Sequence, residues 1–479
     1  MTEIQRLKKN TFYTVLTISS RLLANVFLFW ILARFYGPKP FGQFTFAHTL
    51  ATTFIIVADF GLDILLTTEL AATKEKRNLI FQKLFGIKLI FTFLAFLLMF
   101  IVSKFFSPSK EALILTSIFS CYLIFTSINN FFSGVFKGYE KFIYETRVAL
   151  ISNFTLVFLT IIFIYLKLNI IVIAIAFAGT RILATILSLI NIFKLDRTIV
   201  FKPDLSGLKE FRNKALIFGF HMVFSYLFFQ VDTLLLAKLK GEISVGIYQA
   251  VFKLIMLPLV IPDIFNFSLM PTLSRYFVEN KNEWIKIGEG MGKILFVSIL
   301  PISTILFFYA QPIIGLIYGA NKFDASIEVL KVFAIIILVR FLLEPYALML
   351  TTSNKQKVRL VTVLIATLLS IVLNVLVIPK YDTYGAAIVS LIVNSFVGLV
   401  YFYHLRKDFS KWLLNFKNIF TLVGIFIFTF FLNNLLKINF ILEIMILITV
   451  YSFIIYNFYL SDREKALVKM LLSNQRIKK

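Results

Sequence analysis

Apolar runs of bilayer length recur along this chain from end to end, and that recurrence restricts it to a bundle of membrane-spanning helices. The runs lie near residues 12–34, 43–66, 84–103, 112–135, 146–166, 169–193, 214–236, 244–270, 292–309, 328–351, 358–378, 384–404, 417–436 and 440–460, fourteen in all. About 20 apolar residues in a helix cross roughly 30 Å of hydrocarbon. Lipid offers no hydrogen bonds to exposed backbone, so segments of this length cross as helices. Composition agrees: 59% of the 479 residues are hydrophobic, 15% are charged, and mean hydropathy is +0.88. A water-soluble chain of this size needs a more polar surface. Arg6, Lys8 and Lys9 precede the first run as they would precede a signal-peptide core. That run nevertheless has full span length and carries Arg21 near its middle, so it reads as the first permanent helix. The single cysteine, Cys121, excludes an intrachain disulfide.

The basic residues orient the runs. If all fourteen cross, the termini and every second loop hold 34 Lys or Arg, and the opposite loops hold 10. The richer side is the cytoplasmic one, so both termini are expected there, in a cell (inner) membrane. The net charge of +24 is then mostly a topology signal that suits anionic lipids. It is scattered over short loops and forms no continuous groove, which argues against nucleic-acid binding.

A second pattern divides the chain. Residues 31–50, beginning Ile31-Leu32-Ala33-Arg34, return 204 positions later as residues 235–254, beginning Leu235-Leu236-Ala237-Lys238. Gly37 and Gly42 align with Gly241 and Gly246, Phe44 with Tyr248, and Asp59 with Asp263. A duplicated membrane segment is a transporter signature. Six runs per half insert both halves in the same orientation, which relates them by an axis along the membrane normal. The expected domains are residues 1–195 (first six spans), a cytoplasmic amphipathic linker at 196–213, residues 214–408 (second six), and residues 409–479 with the last two spans and a basic tail. In the linker, Pro203 is expected to lead into an interfacial helix with Leu205, Leu208 and Phe211 on one side. The fold expected is all-α and polytopic, with two pseudo-symmetric six-helix lobes and a terminal helix pair.

The chain resembles the multidrug/oligosaccharidyl-lipid/polysaccharide exporter superfamily, and within it the polysaccharide-biosynthesis, O-antigen (Wzx-type) flippases. The resemblance rests on Arg21, on Ala33-Arg34-Phe35-Tyr36-Gly37-Pro38 followed by Phe41-Gly42-Gln43-Phe44, and on Ala58-Asp59-Phe60-Gly61-Leu62. It implies two six-helix lobes opening as a V. It also implies translocation of a polyprenyl-linked saccharide from the cytoplasmic to the outer leaflet. Implied partners are that lipid-linked oligosaccharide, membrane lipids and glycan polymerases or other assembly proteins.

Charges at bilayer depth are costly unless paired or facing water. Asp59 and Asp63 stand four apart, on one face of the second helix, at a depth comparable to Arg21. They read either as a structural Arg21–Asp59/Asp63 cluster or as a cation-binding or gating one. Arg21, Arg181, Lys253 and Arg340 supply two cations from each half, and an inward Arg can clamp a pyrophosphate. The alternatives are pairing of Arg340 with Glu344 at i,i+4 and snorkelling of Lys253. Asp263, with Pro258 and Pro262 nearby to kink run eight, is the better acid of the second half. Asp232 near the outer end reads as solvated, Lys331 as peripheral, and His221 as a packed histidine rather than a proton relay. Arg21, Arg181, Lys253 and Arg340 are therefore candidate substrate-binding residues, and Asp59, Asp63, Asp263 and Glu344 candidate gating or ion-coupling residues.

No Walker-type Gly-x4-Gly-Lys-Ser/Thr loop and no Cys/His set with metal-ligand spacing occurs. A non-enzymatic carrier without cofactor is expected, with Na⁺ or H⁺ coupling open. Rival readings are a lipid II flippase, a Na⁺/H⁺-coupled multidrug exporter, which would favour an acid-dominated cavity, and a glycan polymerase or ligase, which would need a large outer loop.

Overall fold

A computed structural model describes all residues except 1–2, 74, 108, 207, 410–414, 436–438, 463–464 and 466–479. The side chains at 3–4, 7–8, 208–218, 220–221, 267, 416–417, 419 and 434–435 also lie outside the description, and with them those of His221, Leu208 and Phe211. The end of the basic tail falls there too.

Among the described residues the chain is helix and connection, without strand. The helices are α1 (Glu3–Tyr36), α2 (Pro38–Asp59), α3 (Leu62–Ala72), α4 (Arg77–Phe106), α5 (Lys110–Gly138), α6 (Phe142–Tyr165), α7 (Ile170–Leu195) and α8 (Leu208–Leu239). They continue as α9 (Glu242–Ile255), α10 (Val260–Glu279), α11 (Lys281–Phe308), α12 (Ala310–Tyr318), α13 (Ser326–Thr352), α14 (Gln356–Leu405), α15 (Phe416–Leu435) and α16 (Phe440–Ile454). A π-helical turn, Ile455–Tyr459, extends the last. Each of the fourteen runs falls on a helix or a consecutive pair. Among the described residues, ten helical segments are long and apolar enough to cross a membrane, or eleven if α9 and the start of α10 form one span. Two runs share α14, which is two helices joined at a kink where the backbone leaves helical geometry at Asp382.

The local sequence sets these boundaries. Pro38 occupies the first position of α2 after Gly37, whose φ of 74° is unfavourable for other residues. Ser109, Asn169, Asn280 and Asn439 cap α5, α7, α11 and α16 by accepting a backbone N–H from the first turn. Phe60 and Gly61 both adopt left-handed φ, 38° and 79°, and break run two into α2 and α3. Around Pro258 run eight likewise breaks between Ile255 and Val260, as expected.

Two compact units result. The first holds residues 1–254, 317–323 and 363–389; the second holds 255–316, 324–362 and 390–479. In the first, α2, α5 and α7 meet through edge-to-face rings: Phe44 lies 5.0 Å from Phe119 and 5.1 Å from Phe177. A second apolar cluster joins α3, α4, α5 and α7 through Leu66, Phe81, Phe131 and Ile192. The segment between α7 and α8 is docked onto this cluster. Ile199 is buried, and Phe201 stands among Phe81, Phe85, Phe132 and Phe193 at 5.0–5.8 Å. The amphipathic piece expected after Pro203 is the first turn of α8, which runs unbroken to Leu239, rather than a helix of its own.

In the second unit, α11 and α13 form the core pair, with buried Trp284 donating to Thr352 Oγ1 at 3.0 Å. Tyr451 Oη donates to the Val297 carbonyl at 2.6 Å, which ties α16 to α11.

Candidate functional site

Three of the four expected cationic residues converge in the first unit. Counted from the helix end on their common side, His48 is ten residues into α2, Arg181 eleven into α7, Lys253 eleven into α9 and Tyr122 twelve into α5. At helical rise they share a level about 15–18 Å below those ends. The His48 ring sits 5.1 Å from Phe29, 5.5 Å from Phe119 and 5.6 Å from Tyr122, and its buried Nδ1 has no hydrogen-bond partner. Lys253 Nζ lies over the Phe29 ring at 4.2 Å, and the Arg181 guanidinium lies 5.5 Å from the Tyr122 centroid. The charges of Lys253 and Arg181 both reach His48, and that of Arg181 reaches Arg21. Lys253 therefore rests on an aromatic face inside the unit and does not snorkel.

Arg181 and Lys253 make no ion pair among the described residues, and Arg181 Nε is buried without a partner. Desolvated cations without a carboxylate are costly, and an anionic ligand would relieve that cost. Faces of Phe29 and Tyr122 supply only part of the missing stabilisation.

Arg21 has a different partner from the one expected. Its Nη2 lies 3.3 Å from Glu145 Oε1 on α6, and Lys137 Nζ lies 3.4 Å from the same oxygen. Thr17 donating to Thr146, at 2.9 Å, and Asn153 donating to Ser20, at 3.3 Å, hold α1 against α6 there. The Arg21–Asp59/Asp63 cluster does not form, because Asp59 is consumed elsewhere. Lys88 Nζ donates to Asp59 Oδ1 at 2.5 Å, Ser127 Oγ to Oδ1 at 2.8 Å, and Asn130 Nδ2 to Oδ2 at 2.9 Å. Lys88 was counted with the loop residues in the topology argument, yet its side chain is fully buried. Asp59 and Asp63 do not share a helix face either, because the left-handed Phe60 and Gly61 separate α2 from α3. Asp63 instead stands in the first turn of α3, where unsatisfied backbone N–H groups favour a negative charge.

Asp232 is likewise not solvated. It is 3% exposed and accepts Tyr248 Oη at 2.6 Å, Asn374 Nδ2 at 2.7 Å and Ser370 Oγ at 3.3 Å. Its position near a run's end suggested water, but the helical segment carrying Ser370 and Asn374 covers it. In the second unit, Arg340 shares an electrostatic cluster with Glu344 and Asp263, and Asn266 Nδ2 donates to Glu344 Oε1 at 2.7 Å. Lys331 pairs at the surface with Glu328. No group of three metal-ligating side chains occurs among the described residues.

Residues 7–277 match the model of the polysaccharide biosynthesis protein family, and residues 218–376 match that of MatE. A protein of Escherichia coli (strain K12) described as an O-antigen transporter is 22% identical over 417 residues, covering 84% of this chain and 97% of its own. The fold is similar to that of the lipid II flippase MurJ in an inward closed conformation. The TM-score is 0.75 at 18% identity, over 94% of this chain and 99% of that one. It is also similar to an inward-facing multidrug resistance MATE family transporter of the MOP superfamily. There the TM-score is 0.66 at 15% identity, over 83% and 98%. With the first model covering more than half of its length, this multi-pass membrane chain belongs to the polysaccharide biosynthesis protein family.

Proposed function

We propose that this flippase moves a polyprenyl-(pyro)phosphate-linked oligosaccharide from the cytoplasmic to the outer leaflet by alternating access, for surface polysaccharide assembly. The observation that carries the reading is the pair Arg181 and Lys253, basic side chains at mid-span that make no ion pair among the described residues, with Arg21 within electrostatic reach of Arg181. A phosphate head group supplies the missing charge, and Arg can meet two of its oxygens at once. The head group and sugar would engage these residues while the polyprenyl tail stays in lipid. The basic-residue bias supports a location in the inner membrane with both termini cytoplasmic. Asp263 and Glu344, beside Arg340, are the proposed place for coupling to Na⁺ or H⁺.

The test is the appearance of labelled lipid-linked glycan in the outer leaflet of cells lacking their own carrier, at matched membrane abundance. The double variant Arg181→Gln/Lys253→Gln is expected to lower the initial rate by at least about tenfold, equivalent to 1.4 kcal/mol. Arg181→Lys keeps the charge without the planar fork and is expected to fall between. Wild-type flipping by the double variant would remove these cations from the mechanism. Labelled lipid II in the same cells separates the two glycan substrates.

A further inference from the structure

Among the described residues, Glu145 is the one carboxylate that touches the cationic cluster. Its side chain is 7% exposed, and its Oε1 is shared by Arg21 at 3.3 Å and Lys137 at 3.4 Å. Both contacts are long and single-point, whereas an Arg–carboxylate pair built for strength is bidentate and shorter. The Arg21 side chain is 40% accessible, and this contact is its one ion pair among the described residues. Glu145 does not depend on Arg21 alone. It lies in the first turn of α6, where unsatisfied N–H groups favour negative charge, and Lys137 closes the last turn of α5 beside it. Losing Arg21 would thus leave Glu145 neither stranded nor unpaired.

We propose that Glu145 is a built-in counter-anion for the cationic site: it holds Arg21 while no substrate is bound and gives it up to an incoming phosphate head group. The inference rests on the reading of Arg21, Arg181 and Lys253 as the head-group site. Its consequence is a charge threshold. A sugar linked through one phosphate diester brings one negative charge and competes with the carboxylate on equal terms. A sugar linked through a diphosphate brings two charges and more acceptor oxygens, so it wins Arg21 while still engaging Arg181 and Lys253. Glu145 makes the site select diphosphate-linked over monophosphate-linked sugars. It also hands Arg21 a replacement anion at release, which keeps the substrate from being held too tightly.

The experiment measures binding to the purified full-length protein in nanodiscs. Its two probes are farnesyl-diphosphate-linked and farnesyl-phosphate-linked N-acetylglucosamine. Glu145→Gln keeps the shape and removes the charge. It is expected to tighten monophosphate binding about tenfold and diphosphate binding by less, so that the preference between them narrows. In an Arg21→Gln background the same change is expected to have no effect on either probe. Lys137→Gln throws Glu145 back onto Arg21 and is expected to act in the opposite sense, with weaker monophosphate binding and a wider preference. This arm stands even where Glu145→Gln does not fold. An unchanged preference in either variant, or a Glu145→Gln effect that persists without Arg21, overturns the proposal. Equal binding of both probes by wild type and Arg181→Gln/Lys253→Gln refutes the head-group site itself, a separate outcome.

Discussion

Gly42 of α2 lies so close to Glu242 at the start of α9 that a Cβ placed on it would stand 1.8 Å from the Glu242 carbonyl oxygen. The contact is reciprocal: a Cβ on Gly246 would stand 2.0 Å from the Pro38 carbonyl oxygen. Adding 204 turns Pro38 into Glu242 and Gly42 into Gly246, so the two copies of the repeat meet each other through the same residues. Their flanking residues act alike. Tyr36 donates to the Leu168 carbonyl at 2.6 Å, and its mate Lys240 donates to the Pro379 carbonyl at 2.9 Å. Arg34 and its mate Lys238 donate to the carbonyls of Ile317 and Phe105 at 3.2 and 2.7 Å. Phe105 and Ile317 lie in the last turns of α4 and α12, Leu168 lies three residues beyond α6, and Pro379 lies just before the kink of α14 at Asp382.

Backbone cannot rotate out of the way as a side chain does, so alanine at Gly42 or Gly246 must push the two helices apart. Small residues at such crossings are what allow membrane helices to approach. Each alanine is expected to destabilise by at least about 1–3 kcal/mol, the range for overpacking. Gly179 is the control: it is helical with open space where a Cβ would go, and Gly179→Ala should be neutral or slightly stabilising. Thermal unfolding of the three variants in detergent decides. Equal midpoints for Gly42→Ala and Gly179→Ala would remove the crossing as a tight contact.

The glycine frame was legible because a duplicated segment is visible without structure, and glycine spacing marks a close approach. Arg181 and Lys253 were legible for a related reason: a mid-span cation is expensive, so it points to a partner or a ligand. Partner choice was not legible. A sequence gives the depth of a residue from its distance to a run's end, but its azimuth depends on packing. Arg21 and Asp59 were matched by depth, while packing gave Arg21 to Glu145 and Asp59 to Lys88. The break at Phe60 also rotated Asp63 away from Asp59, although Gly61 was in plain view. His48 went unread because its meaning comes from the rings of three other helices, which packing alone brings around it.

Removal of Lys88 should be among the most damaging single changes in the first unit. Lys88→Met leaves Asp59 buried with only Ser127 and Asn130, and breaking a buried pair from one side costs about 3–5 kcal/mol. Asp59→Asn in addition removes the stranded charge, so the double variant should recover much of that loss. Midpoints from detergent unfolding of the two single variants and the double give the coupling. Additive losses would show that the ion pair does not form.

Topology is open to a direct chemical check. Ser206 and Lys39 are both exposed, and the basic-residue bias assigns them to opposite sides. With Cys121 replaced by alanine, cysteine at Lys39 should react with an impermeant maleimide in intact cells. Cysteine at Ser206 should react only after permeabilisation. The reverse pattern would invert the chain and place the docked segment after α7 outside.

Tyr248 tests whether the Asp232 network is a structural element of the repeat's second copy. Its mate in the first copy is Phe44, also fully buried, so the site tolerates a ring without the hydroxyl. Tyr248→Phe therefore removes the hydroxyl and keeps the ring. Its Oη donates at 2.6 Å to a carboxylate that is 3% exposed and that also accepts Asn374 Nδ2 and Ser370 Oγ at 2.7 and 3.3 Å. Withdrawing a donor from a buried charged acceptor is expected to cost about 1–3 kcal/mol. Asp232→Asn removes the charge that the hydroxyl serves, so Tyr248→Phe should cost much less in that background. Detergent unfolding of the four proteins gives the coupling energy, expected at about 1 kcal/mol or more. A cycle that closes to zero would mean that the phenol and the carboxylate are neighbours without being partners, and the burial of Asp232 would then rest on Asn374 and the segment that carries it.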